Sequence, residues 1–208
     1  MPPFKPLLRL ARSARFCQRD SMFVPSRNRP NAPESGALVT ELDLDGHPIR
    51  QTGNLRPTGH EADRDVHLAM NTGLPVIDPT GGFFFVFQTG VPLFRKYDAA
   101  GALVFERHIE GVEIDGIVQT LPSVWPRREI GGDVLPIVFP LIRTAAVDAT
   151  GQLWVALTLP FTYVYDTRGD KIQTVQFRGA GVLSPTSLFF ASPDRLLVTP
   201  GCYEFKVQ

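Results

Sequence analysis

The densest group of chemistry-bearing side chains in this 208-residue chain is His60-Glu61-Ala62-Asp63-Arg64-Asp65-Val66-His67, with Asn71 close behind. Imidazole nitrogens and carboxylate oxygens ligate divalent cations, so His60, Asp63, Asp65 and His67 form a candidate metal set. The same run also fits a solvated loop whose acids and bases pair with one another. Cations are scattered more widely, at Arg27, Arg29, Arg56, Arg127, Arg128 and Arg143. A guanidinium offers a rigid fork of donors that matches a carboxylate or phosphate. Arg143, at the entrance to the inner strand of the third repeated unit, 143–178, is the best placed for that, its alternative being a pair with an acid of a neighbouring loop. Gln88-Thr89-Gly90 and Thr158-Leu159-Pro160 occupy equivalent turns, where an amide or hydroxyl either meets a ligand or completes the turn. His67, Asn71, Gln88, Thr158, Arg27, Arg29, Arg127, Arg128 and Arg143 make up the candidate ligand-binding set.

No residue is assigned a catalytic role. There is no Gly-x-Ser-x-Gly elbow, no His-Glu-x-x-His, no Cys-x-x-Cys and no phosphate-cradling glycine loop. His47 and His108 fall beside or in outer strands and are expected to be exposed. The 15 phenylalanines, among them Phe83-Phe84-Phe85 and Phe189-Phe190, fit core packing better than a binding box. Cys17 and Cys202 read as belonging to a first and a third strand. Their spacing of at least about 10 Å is too wide for a disulfide, which predicts two separate buried thiols.

The elements that must position these groups follow from composition and repeats. Nineteen prolines and 18 glycines punctuate the chain too often for long helices and suit short strands joined by turns. Twenty-one acids balance 21 bases, which removes a net basic field as a basis for binding nucleic acid or an anionic membrane. No apolar run approaches the roughly 18 residues of a membrane span.

Leu42-Asp43-Leu44-Asp45-Gly46, Tyr97-Asp98-Ala99-Ala100-Gly101 and Tyr165-Asp166-Thr167-Arg168-Gly169 share one pattern, an apolar run, Asp, and Gly three positions on. Each predicts a hairpin in which Asp accepts bonds from the turn backbone and Gly takes positive φ. Upstream, Val76-Ile77-Asp78-Pro79-Thr80-Gly81 and Ala146-Val147-Asp148-Ala149-Thr150-Gly151 repeat the device, which gives four strands per unit. Weaker copies at Phe16 to Val24 and Phe190 to Val198 bring the count to four units, over 13–52, 73–109, 143–178 and 186–208, the last ending after its third strand. Four-stranded antiparallel units of about 40 residues predict an all-β chain built as a β-propeller.

Val-Asp-x-x-Gly, an aromatic-rich strand and then Tyr-Asp-x-x-Gly resemble the blades of six-bladed propellers of the NHL and gluconolactonase-like group. The resemblance covers about 140 residues. It implies a metal at the channel mouth, held by acidic and amide side chains from several blades, and that scattered pattern is not matched residue by residue here. It also implies six blades where four are present, so the chain reads either as the C-terminal two-thirds of a longer propeller or as a four-bladed ring. Residues 1–12, basic and without an acid, read as a tail and not as a secretory signal.

In such a fold the short Asp-x-x-Gly turns share one face, and the irregular segments 26–36, 52–72, 88–91, 110–142, 158–161 and 179–185 share the other. The 110–142 insertion far exceeds an ordinary connection, and is either a packed strap or a ligand-binding lid. Within it, 112–121 is expected to be a short helix and 134–142 an extended segment pinned against the blades. The function expected is a binding or interaction scaffold without a cofactor, its small-molecule or protein partner on the loop-rich face. The alternative is a metal-dependent, lactonase-like hydrolase with a divalent cation such as calcium at the channel mouth.

Overall fold

A computed structural model describes the backbone of residues 16–18 and 21–25 and all atoms of residues 36–207. The first sheet contains β1 (Phe16–Gln18), β2 (Ser21–Pro25), β3 (Ala37–Leu42) and β4 (Pro48–Asn54). Helix α1 (Arg64–Met70) leads into the second sheet, β5 (Gly73–Ile77), β6 (Phe83–Phe87), β7 (Leu93–Tyr97) and β8 (Leu103–His108). Helix α2 (Val112–Val118) and a two-stranded hairpin, β9 (Arg127–Ile130) and β10 (Asp133–Pro136), precede the third sheet. That sheet holds β11 (Ile142–Val147), β12 (Leu153–Leu157), β13 (Thr162–Tyr165) and β14 (Lys171–Val175). The fourth has three strands among the described residues, β15 (Ser187–Ser192), β16 (Arg195–Thr199) and β17 (Tyr203–Lys206).

Every ladder is antiparallel and joins strands adjacent in sequence. Between sheets, first strand meets first strand: β1 packs on β5, β5 on β11 and β11 on β15. Meanders arrayed about their innermost strands are the blades of a β-propeller. The side chains explain the stacking. All of Phe83–Phe87 and Leu153–Leu157 are buried, because these middle strands have a sheet on either side. Phe83, Phe85 and Phe87 pack with Leu38 and Val39 of the first sheet, while Phe84 and Val86 face Val155, Leu157 and Tyr165 of the third. Trp154 and Ala156 turn the other way, toward Leu188 and Val198 of the fourth. Period-two alternation thus serves two cores at once. The outer strands β8 and β14 are largely exposed.

The hairpin turns are built as the sequence implies. At Asp43, Asp78, Asp98, Asp148 and Asp166 the carbonyl accepts the N–H three residues on, from Gly46, Gly81, Gly101, Gly151 and Gly169, at 3.0–3.1 Å. Those glycines have φ between 84° and 135°, a region costly for side chains with a Cβ. A register shift follows at Leu42, Tyr97 and Tyr165, so each third-to-fourth turn carries the same bulge.

Asp78 and Asp148 are almost fully buried and solve one problem in two ways. Oδ1 of Asp148 accepts from the Thr150 N–H (2.9 Å), the Thr150 hydroxyl (2.7 Å) and the Gln152 N–H (3.1 Å), and Oδ2 accepts the indole N–H of Trp154 at 3.1 Å. Asp78 repeats the Oδ1 bonds to Thr80 at 2.8 and 2.7 Å. Its counterpart of Trp154 is Phe84, which has no donor. Oδ2 instead pairs with the Lys96 ammonium, which lies 4.3 Å from the Phe84 ring centroid and also donates to the Gly81 carbonyl at 2.9 Å.

Three expectations are corrected. Cys202 is exposed and lies in the turn before β17, because Pro200-Gly201 ends the preceding strand at Thr199 and Cys202 itself takes φ of 52°. Helix α2 stops at Val118, where the Thr120 hydroxyl takes the Ile117 carbonyl at 2.8 Å and Pro122 follows. Residues 134–142 are not pinned along the sheets throughout. Gly131 and Gly132, with φ of 65° and 94°, fold 133–136 back on β9 as an exposed hairpin, and only 140–142 joins the sheets, through a Thr89–Pro140 bridge and the Leu141 N–H to the Gln88 carbonyl at 2.7 Å. Cys17 lies on β1, and its side chain is outside the described residues, as is the tail at 1–12.

Candidate functional site

The His60–His67 run is not a loop throughout. Asp63 caps α1, accepting the Val66 N–H at 3.3 Å, so the run splits into a capped turn and the helix's first residues. Arg127, projecting from β9, takes both oxygens of Asp63 at 2.6 and 2.7 Å, reaches Asp65 at 3.4 Å and donates to the Val134 carbonyl at 3.1 Å. One guanidinium therefore ties the hairpin to α1. Beneath it, Trp125 packs on Val66 and Met70, flanked by Leu121 and Val138. His67 faces away from the acids of this contact, its Nδ1 2.8 Å from the Thr58 hydroxyl and 3.9 Å from Glu61.

The Arg127 bonds hold the Asp63 carboxyl below its ordinary value, against a smaller opposing effect of desolvation. A carboxylate lowered in the folded state contributes above its unfolded pKa, and that contribution is lost as pH falls through the lowered value. Hydrogen exchange of the hairpin amides, corrected for intrinsic rates, should stay flat from neutral pH to about pH 4 and rise below it. Arg127→Gln should raise it at neutral pH while leaving exchange in the second and third sheets unchanged.

Helix α1 and the β9–β10 hairpin together form a cap, and Arg56 enters it from below and is buried. Its guanidinium donates to the carbonyls of Met70 at 3.0 Å, Thr89 at 2.6 Å and Val91, and lies 4.6 Å from the Phe87 ring centroid. Desolvation, with a smaller push from Arg95, lowers its pKa to about 10, which leaves it charged at neutral pH. Asn71 completes the joint: its Oδ1 accepts the Arg56 N–H at 2.8 Å, and its Nδ2 donates to the carbonyls of His67 at 2.9 Å and Arg56 at 3.3 Å. Gly90 is required here, since a Cβ would sit 2.8 Å from Arg56 Nη2 at a φ of +67°.

At the mouth of the inner strands the chemistry differs. Register in β11 skips between Ile142 and Thr144, so Arg143 is the extra residue of a β-bulge on an innermost strand. Bulges break the ladder locally and re-aim a side chain. Gln88, from the second sheet, reaches across with Nε2 to the carbonyls of Ile142 at 3.4 Å and Arg143 at 3.3 Å, and its own carbonyl accepts the Leu141 and Ile142 N–H groups. The Thr158 hydroxyl donates to the Leu141 carbonyl at 3.2 Å. The exposed Arg143 guanidinium meets only the Thr158 carbonyl, at 3.4 Å, and has no carboxylate partner among the described residues. Elsewhere, a groove of about 270 Å³ between α2 and the end of the second sheet is lined by Val91, Pro92, His108, Glu110, Asp115 and Val118.

The sequence-derived set thus divides. Arg143, Gln88 and Thr158 come together at the bulge. Arg127, Asp63 and Asp65 form the staple of the cap, and Asn71 is consumed in its base. Arg128 is exposed on β9, and Arg27 and Arg29 lie outside the described residues. His60, Asp63, Asp65 and His67 do not converge on one point: among the described residues, ligand atoms of three or more metal-capable side chains gather within 4.8 Å only at Asp43, Asp45 and His47, on the exposed turn of the opposite face. Sequence reasoning missed α1 and the hairpin, whose signals were an Asp N-cap and the Gly131-Gly132 pair.

No protein-family model matches the chain. No curated protein matches it either. Solved structures do. A protein of unknown function from Bacteroides caccae is similar at 12% identity and a TM-score of 0.46, over 86% of this chain and 48% of that one. A luciferin-regenerating enzyme is similar at 14% identity and a TM-score of 0.45, over 86% of this chain and 50% of that one. The chain spans about half the length of these structures. Such distant likenesses leave any chemistry to be argued from the residues themselves.

Proposed function

We propose that the chain is a binding scaffold whose loop-rich face captures an anionic group of a small molecule or protein partner, with Arg143 as the anchor and Gln88 and Thr158 shaping its surroundings. The observation that carries this reading is the bulge: an innermost strand departs from its ladder at the residue whose guanidinium is exposed and has no acid partner among the described residues. A fork of charged donors fixed at its base is suited to a carboxylate or phosphate, which it engages through paired bonds.

Inorganic phosphate and succinate serve as probes in thermal denaturation, with isothermal titration to confirm binding. The wild type should gain about 1.4 kcal/mol when a probe is at ten times its dissociation constant, seen as a rise in Tm. Arg143→Ala should abolish the rise, and Arg143→Lys should keep a weaker one, since an ammonium cannot form the paired contact. No rise with either probe, or an equal rise in Arg143→Ala, would refute the assignment.

A further inference from the structure

Among the described residues the fourth sheet ends on its third strand, so its outer edge is β17 where the first, second and third sheets end on a fourth strand. Among the described residues no strand pairs with the outer side of β17, whose inner side is laddered to β16. The Val207 N–H bonds the Asp194 carbonyl at 2.9 Å, which sets the alternation: Tyr203, Phe205 and Val207 direct their backbone groups to β16, while Glu204 and Lys206 direct theirs outward. Phe205 turns its ring inward onto Phe177, with centroids 4.9 Å apart, and Glu204 and Lys206 are exposed together on the other face. A free row of N–H and C=O groups is a template for another strand.

Charge specifies which strand fits. Lys206 lies directly across the ladder from Arg195, a like charge, and has no ion-pair partner among the described residues. Arg195 is itself held by Glu204, at 2.9 and 2.8 Å. From these contacts we propose that β17 pairs antiparallel with β17 of a second copy of this chain, about a two-fold axis at Phe205. In that register the outward groups of Glu204 bond those of Lys206 in the second copy, and the reverse, so both hydrogen-bonded pairs carry opposite charges. Shifting the axis to Glu204 sets glutamate against glutamate, and shifting it to Lys206 sets lysine against lysine. Like charges directly opposite are destabilising, so only one register is favoured. The two three-stranded sheets become one continuous sheet, and the contact is isologous.

Edge pairing buries little area, so sedimentation velocity from about 5 to about 500 µM should show a reversible, concentration-dependent dimer. Lys206→Pro removes an outward N–H without removing a bond to β16, and should leave a folded monomer throughout that range. Lys206→Glu should weaken association about tenfold or more, because two attractive pairs become repulsive. Adding Glu204→Lys to it should restore the dimer, with circular dichroism reporting the fold of each variant. Exchange of the Glu204 and Lys206 amides should slow as concentration rises. A wild-type monomer at every concentration overturns the proposal. So does protection of those two amides in the monomer, which would mean that another segment of the same chain covers the edge.

Discussion

Replacing Lys96 by Val should destabilise the protein by about 3–5 kcal/mol, the cost of stripping one partner from a buried pair. Side-chain exposure is only 12% for Lys96 and 4% for Asp78, so water cannot take over the abandoned Oδ2. The third sheet supplies the remedy. There the ladder position of Lys96 is held by Val164, and across from it Trp154 gives its indole N–H to Asp148. Phe84→Trp combined with Lys96→Val copies that arrangement into the second sheet and should recover half or more of the loss. Phe84→Trp alone should destabilise, because the indole then competes for the space that Lys96 occupies over the ring. Urea denaturation of the three variants measures this, with unchanged slopes certifying that only stability moved. A double variant no more stable than Lys96→Val would show that the loss is one of packing and not of an orphaned carboxylate.

The second large effect is expected at Arg56. Substitution by Met keeps an unbranched chain of similar reach but leaves the Met70, Thr89 and Val91 carbonyls without their donor. Each buried acceptor so deprived costs about 1–3 kcal/mol, offset in part because a cation no longer has to be desolvated. The net expectation is a loss of about 3–5 kcal/mol, with faster exchange concentrated in residues 69–72 and 88–92. Arg56→Lys should fall between, since a single ammonium cannot span three carbonyls set by a guanidinium fork. A loss below about 1 kcal/mol for Arg56→Met would mean that apolar packing in the cap, and not the buried cation, holds these segments together.

The fold was legible because its punctuation is local. An Asp whose carbonyl meets a glycine three residues later is a device complete within five residues, and its recurrence announces strands on both sides. The cap was not legible, for two different reasons. Helix α1 and the β9–β10 hairpin do have local signals, at Asp63 and at Gly131-Gly132, but the elements are only seven and four residues a strand, too short for periodicity to separate them from loop. The partnership of Arg127 with Asp63 has no local signal at all, since the two stand 64 positions apart. Acids that looked like metal ligands and an arginine that looked like an anion receptor turn out to satisfy each other. Arg143 was singled out for standing at the entrance to an inner strand. What makes it distinctive, a register slip against β12, is a property of the pairing and not of the residue.

The confinement of each ladder to consecutive strands has a kinetic meaning. Within a sheet the chain closes only short loops before contacts reward it, so the entropic barrier to forming each meander is modest for a β protein. The slow, sequence-distant steps are the docking of one finished meander on the next through Phe84, Val155, Trp154 and their neighbours. Such a molecule assembles as an array of nearest-neighbour units, and its cooperativity resides in the aromatic seams between sheets rather than in any single ladder.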